Sequence, residues 1–232
     1  MVYVRGNRAD FDTWQEMGAD GWSYADVLPY FKRSETWAGP DLDDRYRGRT
    51  GPLHVQHGCN PSRTPLHDAF IEAGIQAGYG SVQDYNGPSQ EGFTKLAMTV
   101  FHSGPDRGKR CSTSASYLAQ ARTRDNLQIK VRAMASRIVF DGHRAVAVEY
   151  LDDHGSVQRI GARREIIVCA GAIQTPHLLQ VSGVGDPAHL SAIHVPVVSA
   201  VPTVGHHLQD HHELYFQQEC LEPVSLVGYV QN

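Results

Sequence analysis

Apolar and polar residues change rhythm several times along this chain. The most apolar short run is Glu165-Ile-Ile-Val-Cys-Ala170, which is β-branched at its centre and breaks at Gly171. That pattern predicts a buried strand. Thr175-Pro176 then reads as an N-cap followed by proline at the first helical position. Leu178 and Leu179 supply the apolar face, and Gly183 is the stop. A buried strand that turns at glycine into a helix is the unit by which nucleotide-binding α/β proteins bring backbone close to a cofactor. A plain packing crossover has the same pattern.

Upstream the period shortens to two. Leu127, Ile129, Val131 and Ala133 alternate with polar residues, as in a half-buried strand. A strand over 137–140, a hairpin signal at Asp141-Gly142, a strand over 144–151, a turn at His154-Gly155 and a strand from Val157 follow. They predict an antiparallel meander beside a parallel sheet. Nearer the start, 26–33 reads as a short helix interrupted by Pro29, 41–51 as an exposed loop, and 52–55 as a strand. Residues 67–77 have helical spacing ended by Gly78, Asn86-Gly87 is a turn, and Ser112 or Thr113 caps a helix running through Leu118.

Composition narrows the class. The 232 residues are 41% hydrophobic and 20% charged, which argues against disorder. A net charge of −4 argues against a nucleic-acid partner. Cys59, Cys111, Cys169 and Cys220 lie far apart with no Cys-x-x-Cys, so free thiols in a reducing compartment are the simpler reading. No apolar run approaches the ~20 residues of a membrane span.

Several motifs carry little. Gly183-Val-Gly185-Asp-Pro-Ala188 fits Gly-x-Gly-x-x-Ala, but it follows a predicted helix and contains Pro187, so no phosphate role is assigned. His206, His207, His211 and His212 flank Asp210 without a metal-ligand pattern, and no metal is expected. The plainer reading is a turn in which the Asp210 carboxylate caps backbone donors. Lys109-Arg110 reads as a solvated pair. The early aromatics Tyr3, Trp14, Trp22, Tyr24, Tyr30, Phe31 and Trp37 offer faces for a quaternary ammonium, with core and lid packing preferred.

Four blocks in order resemble the glucose–methanol–choline (GMC) family of flavin oxidoreductases. They are the opening Met1-Val-Tyr-Val-Arg-Gly-Asn-Arg-Ala-Asp-Phe-Asp12, the turn Asp84-Tyr-Asn-Gly-Pro-Ser-Gln-Glu-Gly-Phe93, the 165–185 stretch, and Val204-Gly-His-His-Leu-Gln-Asp-His211. His207 stands where that family usually has asparagine. Glu219-Cys220 and Glu222-Pro-Val-Ser-Leu226 resemble its choline-oxidising members.

The resemblance implies an α/β fold with α+β elements: a partial FAD-binding Rossmann-like domain with an antiparallel meander, plus part of a substrate-binding domain. The implied segments are 1–50 (FAD domain and lid), 51–112 (substrate domain), 113–205 (FAD domain) and 206–232 (return to the substrate domain). FAD is the implied cofactor. Met1 and Val2 are expected at the reactive edge of the isoalloxazine, Ala135 at the adenine, and Gly171 and Ala172 close to the cofactor backbone. The implied reaction is oxidation of a choline-like primary alcohol to the aldehyde by hydride transfer to flavin, with the electron acceptor unassigned.

No glycine-rich dinucleotide motif precedes Met1, and the family's catalytic histidine lies beyond Asn232. The chain therefore reads as an internal part of the enzyme with no catalytic residue of its own, inactive in isolation. The alternative is a non-catalytic module that folds without cofactor. A cytoplasmic location is expected, with peripheral association at the inner membrane left open.

Overall fold

The computed structural model describes residues 1–39, 43–58 and 64–226. By their contacts they divide into two compact units, Met1–Leu127 with 217–226, and Gln128–Phe216. These units follow proximity and are not the four segments the resemblance implies.

The first unit opens with helices α1 (Arg8–Glu16) and α2 (Tyr24–Ser34). Asn7 caps α1 by accepting from the Ala9 amide. Ser23 and Asp26 form a capping box on α2, satisfying two N-terminal donors reciprocally. Pro29 does not interrupt α2; it sits inside the continuous eleven-residue helix. Strands β1 (Glu35–Trp37), β2 (Leu53–His57) and β3 (Ala97–Thr99) form one sheet in that order, β1–β2 parallel and β2–β3 antiparallel. Trp37, Val55, Tyr85 and Ala97 make its buried core, with Tyr3, Leu53 and Val82 packed against it. Helix α3 (Leu66–Gln76) ends at Ala77, before Gly78. Ser112 is the residue that caps the next helical segment, accepting from the Ala115 amide. That segment is a π-helix, Ser114–Leu118, followed by the short α4 (Ala119–Ala121).

The second unit contains the expected meander. Strands β4 (Met134–Asp141), β5 (Arg144–Leu151) and β6 (Val157–Gly161) pair antiparallel in sequence order. The alternating residues 127–133 are not a strand. They join no ladder, Val131 is 78% exposed, and Arg132 turns to a φ of 52°.

The run 165–170 also forms no strand: it is without a ladder partner, and Ile167 is 76% exposed. A strand exists only with an edge to pair, and apolar content alone does not provide one. Helix α5 (Gly171–Val181) follows, then β7 (Val184–Gly185), α6 (Pro187–Ala192) and β8 (Ser199–Ala200), with β7 and β8 parallel.

Ser182 fastens α5 to the meander. Its hydroxyl accepts from the Ile138 amide (2.8 Å) and donates to the Leu178 carbonyl (2.6 Å). Gly183 ends α5 with a φ of 91°, the left-handed conformation usual after a helix. No helix among the described residues is long and apolar enough to cross a membrane.

Candidate functional site

In the first unit, residues 1–3 extend the sheet along the free edge of β3. The Thr99 amide donates to the Met1 carbonyl (2.9 Å), and the Tyr3 amide donates to the Ala97 carbonyl (2.8 Å). Val2 therefore faces Met98 as a non-hydrogen-bonded antiparallel pair. Successive amides of a strand point to opposite sides, so the Val2 N–H is directed away from β3. It meets no acceptor among the described residues. By pattern alone Met-Val-Tyr-Val is equally a buried strand. In the structure Tyr3 and Arg5 turn inward, while Val2 and Val4 stay exposed on the other face.

This segment is gripped from within. The Tyr3 carbonyl accepts from the Tyr85 hydroxyl (3.0 Å) and from Asn86 Nδ2 (3.1 Å). The Arg5 amide donates to Asn86 Oδ1 (2.8 Å), and Gln90 Nε2 donates to the Arg5 carbonyl (2.9 Å). Burial pushes the Tyr3 and Tyr85 hydroxyls above their ordinary value, keeping both protonated and able to donate.

Beneath the grip runs a buried ladder of alternating charge. Arg5 meets Glu35 at 2.7 Å, Glu35 meets Arg47 at 3.0 Å, and Arg47 meets Asp84 at 2.8 Å. Asp84 Oδ1 also accepts from the Asn86 amide (2.9 Å), which joins the ladder to the turn. A cavity of about 340 Å³ opens beside it, lined in part by Arg5, Arg8, Tyr24 and Asn86.

In the second unit, Ala135 lies exposed on β4, paired with Tyr150 of β5, next to a register irregularity between Ala135 and Arg137. The adjoining hollow of about 460 Å³ is lined by Ala133, Tyr150, Lys130 and Asp153 among others. The Lys130 ammonium stands 5.8 Å from the Tyr150 ring centre.

Gly171 is the first residue of α5, with a φ of 86°, and a Cβ placed there would meet nothing within 4 Å. Among the described residues no side chain caps this helix, and its first amides remain free donors. The helix starts four residues before the expected Thr175 cap. Pro176 lies inside it and cannot donate to the carbonyl four residues back, that of Ala172. Free donors and a carbonyl released from its usual partner thus sit together at Gly171 and Ala172. This chemistry fits a polar cofactor approached by main chain.

Met1 and Val2 therefore belong to one unit, and Ala135, Gly171 and Ala172 to the other. The remaining candidates resolve as follows. Gly183–Ala188 does pass from a two-residue strand into a helix, contrary to the expected context. The helix is only six residues long, however, and the Asp186 carboxylate already takes the Ala188 amide. Asp210 accepts from the His211 amide (2.9 Å), and no metal-binding group of three ligands occurs among the described residues. Lys109 is exposed and pairs with Asp106.

Of the early aromatics, Trp37 and Tyr24 are core, whereas Trp14, Trp22 and Tyr30 are 49%, 53% and 63% exposed. Cys111 is buried, and Cys169 and Cys220 are exposed; all three are free thiols, and Cys59 lies outside the described residues. Sequence reasoning missed Ser182 and the Tyr85–Asn86 grip. The signal for the latter was the Asp-x-Asn-Gly turn, whose short side chains reach neighbouring backbone.

The described residues thus form a mixed α/β chain, with an edge strand whose Val2 amide points outward in one unit and a glycine-opened helix beside a meander in the other. Comparison with known proteins gives the class a family. The family model for GMC oxidoreductase matches residues 1–213. The chain is 46% identical over 233 aligned positions to the oxygen-dependent choline dehydrogenase of Escherichia coli (strain SMS-3-5 / SECEC), covering 100% of this chain and 40% of that protein. It thus spans about two fifths of the length of the curated relatives it matches.

Among solved structures, an FAD-dependent oxidoreductase from Chaetomium thermophilum aligns with a TM-score of 0.77 at 29% identity, over 87% of this chain and 36% of that one. Pyridoxine 4-oxidase from Mesorbium loti aligns with a TM-score of 0.74 at 30% identity, over 87% and 38%. The chain belongs to the GMC oxidoreductase family, whose cofactor is FAD.

Proposed function

We propose that this chain forms a cofactor-facing part of an FAD-dependent oxidoreductase that converts a choline-like primary alcohol to its aldehyde. The observation that carries the reading is the Val2 amide, directed outward from a fixed edge strand and without an acceptor among the described residues. FAD, when bound, supplies the hydride acceptor. The Val2 main-chain donor, on the strand that the Met1 carbonyl anchors to β3, faces the isoalloxazine edge, where a preorganised N–H group favours the charge that develops on reduction. Ala135 offers backbone beside the adenine, and Gly171 and Ala172 approach the cofactor through the open start of α5. No residue of this chain is assigned as the base that takes the hydroxyl proton.

The exposed run 165–170 supports a further part of the reading: the 232-residue polypeptide alone binds FAD weakly and does not turn over. Purification with added FAD, followed by visible spectroscopy and choline oxidation, tests both parts. The protein expressed from its complete reading frame is expected to carry a flavin band that bleaches with choline, and the isolated chain is not. A folded, colourless product from the complete frame refutes the enzyme reading and leaves a non-catalytic module.

A further inference from the structure

We propose that the turn Asp84-Tyr85-Asn86 is the positioning device for the cofactor-facing strand, with Asn86 as its central residue. This rests on the reading that Val2 faces the flavin. β3 can hold only the beginning of that strand: its ladder takes the Met1 carbonyl and the Tyr3 amide, and it starts at Ala97. Beyond that point side chains replace a strand partner. Tyr85 and Asn86 take the Tyr3 carbonyl, Asn86 takes the Arg5 amide, and Gln90 takes the Arg5 carbonyl. Each inward polar group from Met1 to Arg5 is thereby fixed, and the amides of Val2 and Val4 are left outward.

The direction of those amides depends on this grip. A slip of one residue turns each inward group outward, so that Val2 would present its amide to the sheet. Asn86 is itself oriented from below. Its own amide is held by Asp84, whose carboxylate forms a two-point contact with Arg47 (2.8 Å each), and Arg47 leads through Glu35 back to Arg5. The buried charges close a ring from Arg5 through Glu35, Arg47 and Asp84 to Asn86 and back to the Arg5 amide. A ring of this kind specifies one arrangement, which is the best-supported use of buried ionic groups. Asn86 and Tyr85 touch no reacting atom in this account; they act through the strand.

The test compares Asn86→Ala, Asn86→Asp and Tyr85→Phe in the FAD-loaded protein, with Ser116→Ala as control. Ser116 is buried in the same unit, and among the described residues it bonds only to the Ser112 carbonyl at the start of its own helical segment. Hydrogen exchange at the Arg5 amide reads the grip, and the flavin midpoint potential reads its effect on the cofactor. Asn86→Ala is expected to speed Arg5 exchange at least about tenfold, the effect of losing one well-made hydrogen bond.

Asn86→Asp retains the acceptor and is expected to fall between Asn86→Ala and wild type. A tenfold weaker preference for reduced flavin lowers the two-electron potential by about 30 mV. Ser116→Ala is expected to lower the melting temperature and leave both readouts unchanged. Unaltered Arg5 exchange in a folded Asn86→Ala overturns the proposal outright. Faster exchange with an unchanged potential overturns it differently, by showing that Val2 does not face the flavin. Should Asn86→Ala fail to fold, Asn86→Asp and Tyr85→Phe carry the same comparison.

Discussion

Glu35→Gln makes the sharpest test of the energetics. The Glu35 carboxylate is fully buried and accepts from Arg5 (2.7 Å), Arg47 (3.0 Å) and the Gly48 amide (2.9 Å). The amide side chain keeps the shape but removes the one negative charge between two buried guanidiniums. Arg5 then loses its carboxylate partner, and Arg47 keeps Asp84. Removing one partner of a buried ionic cluster costs about 3–5 kcal/mol, because the remaining charge is left uncompensated. Against total stabilities of about 5–15 kcal/mol that is a large loss.

With a urea slope of about 2 kcal/mol per molar, the unfolding midpoint should fall by about 2 M. Trp37 is a suitable reporter, since the Arg47 guanidinium lies 4.1 Å from its ring centre. Lys109→Met, which breaks the exposed pair with Asp106, should leave the midpoint unchanged. A Glu35→Gln midpoint within roughly 0.3 M of wild type, at an unchanged slope, would refute the claim that the ladder is desolvated.

Ser182→Ala should cost about 1–3 kcal/mol and expose the Ile138 amide to exchange, because it orphans a buried donor. Gly183→Ala should destabilise more than Gly171→Ala in thermal melts. Both have positive φ, worth about 1–2 kcal/mol for an alanine, but at Gly183 the new Cβ also lies 2.5 Å from the Pro196 carbonyl. Acid should weaken the first unit. Burial first, then His102, lowers the pKa of His54, and burial first, then Arg47, lowers that of His57, both from 6.5. The unfolded chain therefore binds more protons below pH 6.5, and stability falls as pH drops from there toward the depressed folded values. Melting temperatures across that window, flattened in His57→Gln, would check the sign.

What the sequence made legible was local. Asp141-Gly142, between the strands expected over 137–140 and 144–151, marked the β4–β5 hairpin, and β6 begins at Val157 as expected. Gly78 and Gly183 follow helix ends as their chemistry requires. The two missed strands have one origin. Runs 127–133 and 165–170 have strand composition, but strand structure needs a partner that composition does not name.

Proline misled inside two helices. Pro29 and Pro176 each occupy the sixth helical position, where the helix continues and one early carbonyl goes without its donor. Of the candidate site, Met1, Val2, Gly171 and Ala172 were singled out by resemblance. The grip on the strand that carries the first two is made at Tyr3 and Arg5 and spans 81 to 83 positions of sequence, a distance no periodicity reports.

The ladder of Arg5, Glu35, Arg47 and Asp84 has a consequence for descent. A lineage that changes one rung strands a charge in the interior, so intermediate sequences pass through a poorly folding ancestor. The four positions should therefore be inherited as a block, kept together or exchanged together for apolar residues. Reconstructed ancestors that carry three rungs should be rare, and those that exist should bear a compensating change beside the vacant place.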